Sequence, residues 1–254
     1  LSPFLPGRTE VLAEWLGGGN IINVDWKPSE KIVFGLKANK TKATFHLLPS
    51  AYSYQSYQEE EIEVRHPYAL VSSGEKKNIL EFSCRHFYEE GKTNLILCKG
   101  KTTANKTASE IYNWIDHDIK NDEVNLIQRY IDEEMGCTSL FSKLLERGIA
   151  VHHAGLSDEV KLLTEHLIRK GLVNYVCATT TIAEGVNFPV SSVYFDTYQR
   201  GKNNILSAND FWNIAGRAGR TMVDDFGKII LPFNSEKNIE TGIEILRKGA
   251  EELT

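Results

Sequence analysis

Ile149-Ala150-Val151-His152-His153-Ala154-Gly155-Leu156-Ser157, followed one helix length later by Asn174-Tyr175-Val176-Cys177-Ala178-Thr179-Thr180, is the stretch that decides how this chain is organised. Two short apolar runs, Ile149–His152 and Asn174–Ala178, flank a helix-patterned run from Ser157 to Lys170. Strands joined by a helix of ten or more residues form a βαβ unit, and such a unit pairs its strands in parallel. The alternation continues outward in both directions. Upstream lie a helix Asn78–Glu90, a strand Asn94–Cys98, a helix Thr103–Asp118 and two further helices, Glu123–Met135 and Ser139–Arg147. Downstream lie a strand Ser192–Phe195, a helix Ala208–Ala218, a strand Gly227–Leu231 and a last helix Ser235–Glu252. The pattern predicts an α/β fold: an open parallel sheet with helices on both faces.

The first part of the chain reads differently. A helix from about Arg8 to Leu16 is stopped by Gly17-Gly18-Gly19, and a strand-like Ile21–Trp26 follows. Lys31–Leu36 and Ala43–Leu48 alternate apolar and polar residues across a turn containing Asn39, which predicts a β-hairpin. Ser50–Glu63 is rich in Tyr, Ser, Gln and Glu without periodicity and reads as an exposed loop. Tyr52, Tyr54 and Tyr57 there are of the kind that stack on bases, although a loop packed on a neighbouring region is the plainer reading. The expected organisation is a hairpin-bearing segment, 1–75, and an α/β domain, 76–254.

At 254 residues, 41% apolar and 25% charged, the chain has the composition of an ordinary globular protein. Its net charge of −5 excludes a general basic field, so any phosphate contact must come from a local site. No apolar run approaches a membrane span and no signal peptide opens the chain, so an intracellular protein without membrane contact is expected. Cys84, Cys98, Cys137 and Cys177 lack CxxC spacing, which favours reduced thiols over a disulfide or zinc site. The chain opens at Leu1, inside what reads as a strand-to-loop junction, and is expected to be part of a longer protein.

Asn213-Ile214-Ala215-Gly216-Arg217-Ala218-Gly219-Arg220 carries the sharpest chemical signal. On a continuing helix Arg217 and Arg220 share one side, and two guanidinium forks match phosphate oxygens bidentately. Such arginines stabilise charge on a transferring phosphoryl group; a helix end with two solvated arginines is the alternative. Two Gly-Lys-Thr triplets fail as P-loops. The residue five places before the Gly of Gly91-Lys92-Thr93 is His86, and before that of Gly100-Lys101-Thr102 it is Leu95, where a cradle needs glycine. Asp132-Glu133-Glu134 lies in a helix-patterned run and not at a strand end, so it is a poor magnesium-holding motif. No nucleotide-hydrolysing apparatus is evident within the chain. Instead, Val151–Leu156 and Ala178–Pro189 leave strands as loops, where open parallel sheets bind ligands. Taken singly, His152 and His153 read as packing or surface histidines and the threonine run as a strand end.

In this order and spacing the segments resemble the second RecA-like motor domain of superfamily 2 nucleic-acid helicases. The likeness is to the DExH branch that includes archaeal repair helicases and RNA-exosome-associated helicases. It extends from about residue 1 to 253, most securely from 94 to 231, and includes the Glu10–Gly17 and Asp25-Trp26-Lys27-Pro28 segments. Departures from that pattern are Pro3-Phe4 after Leu1-Ser2, Lys161 in the helix after His-His-Ala-Gly-Leu, Glu184, and Asn213 in place of glutamine. The resemblance implies that Arg217 and Arg220 reach the γ-phosphate of ATP, with Gly185, Asn187, Asn213 and Gly216 near the nucleotide. It implies that Lys101, Gly155, Thr179 and Thr180 touch the backbone of single-stranded DNA or RNA. ATP and Mg2+ would be held mainly by a first RecA-like domain of the same parent chain, so the fragment alone is expected to be inactive. A degenerate motor kept as a nucleic-acid or protein scaffold, and a stand-alone nucleotide-binding protein, are the rival readings.

Overall fold

The computed structural model of the protein describes residues 30–48, 60–183, 190–200, 204–219, 224 and 226–252. The helix and strand expected before residue 27, the tyrosine-rich stretch up to 59, and Glu184, Gly185, Asn187 and Arg220 lie outside the described residues.

The chain begins with β1 (Glu30–Ala38) and β2 (Lys42–Leu48), paired antiparallel as the alternation predicts. Asn39 closes their turn: its Oδ1 accepts from the N–H groups of Thr41 and Lys42 at 2.9 and 2.8 Å. β3 (Glu60–Arg65) adds antiparallel to β2, which corrects the expectation of a loop through Glu63. Glu-Ile-Glu-Val does alternate with period two, but acidic composition hides it. A charged strand suits a sheet edge, and Lys42 Nζ reaches Glu63 Oε1 across the pair at 2.5 Å.

Next come α1 (Glu75–His86), β4 (Asn94–Leu97), α2 (Lys101–Trp114), α3 (Asp122–Met135), α4 (Leu140–Leu145), β5 (Ile149–His152) and α5 (Asp158–Arg169). β6 (Tyr175–Ala178) runs into a 3₁₀ turn, Thr180–Ala183. Then follow β7 (Ser192–Phe195), a small ribbon of β8 (Gln199–Arg200) and β9 (Asn204–Ile205), α6 (Ala208–Ala215), β10 (Phe226–Pro232) and α7 (Glu236–Glu252). Local chemistry starts these helices. Asn121, Ser139, Ser157 and Ser207 each accept a backbone N–H of the first turn of their helix, a contribution of about 1 kcal/mol apiece.

One sheet runs β3-β2-β1-β10-β7-β4-β6-β5, and every neighbouring pair from β1 to β5 is parallel. β4, β5, β6 and β7 are buried at all four of their positions. Alternate residues point to opposite faces, so both faces of the sheet are covered, as in an α/β fold. The hairpin extends this sheet directly: β1 pairs with β10 over seven positions, from Glu30↔Phe226 to Leu36↔Pro232. From β4 the chain steps to β5, returns to β6 and then crosses β4 to β7. The strand order therefore reverses around β4, the kind of point where such sheets bind ligands.

α6 ends at Ala215, three residues before the expected end. The N–H groups of Arg217 and Ala218 make tighter bonds to the carbonyls of Ile214 and Ala215, at 3.1 and 3.0 Å. Ala218 then bridges to Val190, and Gly219 takes a positive φ of 86°. Arg217 therefore lies beyond the end of α6, because pairing of Ala218 with Val190 replaces the expected continuation of the helix.

Candidate functional site

Among the described candidates, Lys101, Gly155, Thr179 and Thr180 fall at one edge of the sheet, and Gly216 and Arg217 at the opposite one. At the carboxyl edge, Lys101 is the first residue of α2 and follows β4 through Gly100. Gly155 follows β5, and the stem of Lys101 lies against it: a Cβ on Gly155 would stand 3.4 Å from Lys101 Cδ. Thr179 follows β6; its N–H donates to the His152 carbonyl at 3.1 Å, and its Oγ1 is 2.8 Å from Thr181 Oγ1. Thr180 is half-buried beside it. Because β4, β6 and β5 are neighbours, Lys101, Gly155, Thr179 and Thr180 come to one edge. Lys101 and Gly155 are exposed there.

His152 and His153 stabilise this edge from within, as the packing reading expects. His152 Nε2 is 3.0 Å from Glu165 Oε1, and both side chains are buried. His153 Nδ1 accepts the Gly155 N–H at 3.1 Å, so its proton resides on Nε2, 3.0 Å from Asn105 Oδ1. A neutral imidazole thus ties the Gly155 loop to α2. Burial is the main cause that holds the His153 pKa below the usual histidine value, with His152 and Lys101 adding to it. Asp196, just past β7, is buried and salt-bridged to Lys76 Nζ of α1 at 3.1 Å. Burial pushes its pKa up while Lys76 opposes the shift.

The amino edge carries Gly216 and Arg217. The turn after α6 crosses the starts of three neighbouring strands. Val190, two residues before β7, donates to the Arg217 carbonyl at 3.0 Å and accepts the Gly219 N–H at 2.7 Å. Gly227, second residue of β10, lies directly beneath: a Cβ there would come within 2.4 Å of the Ala218 carbonyl oxygen. Lys31, second residue of β1, donates from Nζ to the Gly216 carbonyl at 3.0 Å. Arg217 is half-buried, and burial lowers its pKa from a value high enough that it stays charged. Asn213 is exposed on α6. The structure does not bring the two groups together; four-residue strands of ~3.3 Å per residue lie between them, about 13 Å.

Neither Gly-Lys-Thr triplet forms a phosphate cradle. Gly91-Lys92-Thr93 precedes β4, at the amino end, where Lys92 pairs with Glu89 at 2.6 Å and Thr93 Oγ1 donates to the Val173 carbonyl at 2.7 Å. Gly100 is in an extended conformation and leads straight into α2. Asp132 accepts the Ser139 N–H at 2.8 Å, a structural role in the α3–α4 connection. Among the described residues, no three His, Cys, Asp or Glu side chains are placed to hold a metal ion, and no helix is long and apolar enough to cross a membrane. Cys84, Cys98 and Cys177 are free and buried, and Cys137 is free and exposed.

Sequence reasoning missed Lys31, Val190, Gly227 and Asn105. Their importance comes from neighbours nine to 185 residues away, and no local pattern marks them.

No protein-family model matches the chain. Among curated proteins it is 28% identical over 236 residues to the ATP-dependent DNA helicase Hel308 of Pyrococcus horikoshii, covering 91% of this chain and 29% of that protein. It is 42% identical over 106 residues to the antiviral helicase SKI2 of Saccharomyces cerevisiae, covering 40% of this chain and 8% of that protein. It is 32% identical over 149 residues to the Hachiman protein HamB of Bacillus cereus, covering 58% of this chain and 13% of that protein. The chain therefore spans less than a third of the length of these relatives.

Proposed function

Because this chain is related to the superfamily 2 helicases of the DExH type, we propose that it is the second RecA-like motor domain of an ATP-dependent nucleic-acid helicase or translocase. One observation carries the reading: a half-buried arginine on a braced turn occupies one edge of the sheet, and a lysine–glycine–threonine surface occupies the other. The two edges can serve two ligands at once. Residues 1–75 would feed the hairpin onto the sheet, and 76–254 would form the motor domain proper.

ATP with Mg2+ would supply a phosphoanhydride bond, and the residues present fit one side of it only. Arg217 is already partly stripped of water, so an anion beside it gains more than at a fully solvated surface. With Arg220 it would stabilise the charge that develops on the transferred phosphoryl group. Gly185, Asn187, Asn213 and Gly216 would line the same side. The phosphate cradle and the metal-holding carboxylates would belong to a first RecA-like domain, since neither Gly-Lys-Thr triplet here makes one.

At the other edge, Lys101 would pair with a backbone phosphate while Gly155 lets the strand approach closely. Thr179 and Thr180 would add hydroxyl and N–H contacts to phosphate and sugar, which position a strand without reading its sequence. The partner is single-stranded DNA or RNA, inside the cell where both ligands are present.

The test is ATP hydrolysis by the full-length parent, with and without single-stranded DNA and RNA, beside its Arg220→Ala variant. Stimulated turnover that the variant nearly abolishes, with nucleic-acid binding retained, supports the motor. A folded parent that binds nucleic acid without turnover points instead to a degenerate scaffold. Tight ATP binding by residues 1–254 alone would favour a stand-alone nucleotide-binding protein.

A further inference from the structure

Lys31 comes from the hairpin, not from the α/β repeat, yet its ammonium ends 3.0 Å from the Gly216 carbonyl, 185 residues away in sequence. Gly216 closes α6, so the ammonium caps the negative end of that helix. It is not an accidental surface contact. β1 is locked in register with β10, placing Lys31 beside Gly227, and Gly227 is the residue over which Ala218 and Gly219 pass. Lys31, Gly227 and Val190 thus hold consecutive parts of one turn, from three adjacent strand starts. Among them Lys31 alone acts through a side chain.

Lys31 is also costly where it is. It is half-buried, and burial lowers its pKa, so its charge is held in an unfavourable setting. Its stem could equally be an apolar side chain as far as packing on β1 is concerned. What only a donor can supply is the bond to Gly216.

We infer that Lys31 is a positioning residue: the hairpin strand reaches across the sheet and fixes the turn that carries Arg217. The inference rests on the motor reading for its effect on rate, but the clamp itself is a statement about residues 216–219. The hairpin then belongs to the catalytic edge as much as to the fold. A fixed guanidinium stabilises developing charge without reorganising at the moment of reaction, and a loose one does not.

The test compares Lys31→Met and Lys31→Arg in the full-length parent, alone and combined with Arg217→Ala. Methionine is close in length and removes a poorly solvated charge, so the melting temperature should hold or rise. Hydrogen exchange at residues 216–219 should nonetheless become faster. The kcat for ATP should fall by about ten- to a hundredfold, the scale on which misplacing a reacting group by ~1 Å acts, with nucleic-acid Kd unchanged. Arginine, which keeps the donor and the charge, should recover most of the loss. In the Arg217→Ala background Lys31→Met should cost little more, because the two residues act as a unit.

Unchanged exchange at 216–219 in Lys31→Met would overturn the clamp whatever the parent's activity. Hydrolysis lost in Arg217→Ala but kept in Lys31→Met would overturn its catalytic role alone. A parent with no hydrolysis, yet faster exchange in Lys31→Met, would keep the clamp and sink the motor reading instead.

Discussion

The two edges of this sheet are built by different means. At the carboxyl edge, Lys101, Gly155, Thr179 and Thr180 each follow their own strand by one to four residues, and neighbouring strands bring them together. At the amino edge, the turn with Gly216 and Arg217 is placed by Lys31, Val190 and Gly227, none of them adjacent to it in sequence. The first edge is a product of the parallel sheet itself. The second depends on a hairpin strand having joined the sheet in the right register, and it is the more easily broken.

The sharpest break should come from Arg217→Ala in the parent. Loss of an arginine that stabilises phosphoryl transfer costs roughly 10³-fold or more in ATP turnover, while nucleic-acid affinity at the opposite edge should stay within about threefold. A steady-state hydrolysis assay beside fluorescence anisotropy reads both. Equal damage to both would mean that the edges are not independent.

Gly227→Val attacks the same edge from beneath. Its Cβ would meet the Ala218 carbonyl oxygen at 2.4 Å, and backbone cannot move aside as a flexible side chain can. The expected result is a drop of about 1–3 kcal/mol in stability, as for overpacking, together with lower turnover. An unchanged chemical-denaturation midpoint would show that the turn is softer than its contacts imply.

Lys101→Ala tests the other edge alone. Single-strand binding should weaken about tenfold at low salt, and the slope of log Kd against log salt should flatten by about one phosphate contact. Turnover at saturating nucleic acid should be preserved.

The smallest expected effect is that of pH on the carboxyl edge. The His153 pKa is depressed in the folded protein, so the neutral form is favoured by folding. Its contribution is fully present above the unfolded value of ~6.5 and is lost as pH falls through the lower folded value. Protonated Nδ1 could no longer accept the Gly155 N–H. Melting temperature should therefore decline on acidification below about pH 6.5, and His153→Gln should flatten that decline. His152, Lys101 and Asn105 face this ring, and an unaltered profile in the variant would show that the decline does not originate at His153.

Much of this was legible in the chain. Ile149–His152 and Ser192–Phe195 end where their apolar runs end, because a four-residue strand buried on both faces needs uninterrupted apolar residues. The helices expected at Ser157–Lys170 and Glu123–Met135 are present as Asp158–Arg169 and Asp122–Met135, and the structure adds the caps at Ser157 and Asn121. The end of α6 was not legible: Ala215-Gly216-Arg217-Ala218 is compatible with continued helix, and only contacts with Val190, Gly227 and Lys31 make the turn preferable. β3 was missed because a charged edge strand reads like a loop until β2 is beside it.

The sequence by itself determined the strand–helix alternation, the parallel sheet and the failure of both Gly-Lys-Thr triplets. All of these follow from periodicity and spacing, which act over a few residues. Only the tertiary structure decided the register of β1 on β10, the turn at Gly216 and Arg217, and the bond from Lys31. These depend on contacts between residues as much as 185 apart, formed once folding has closed the intervening chain.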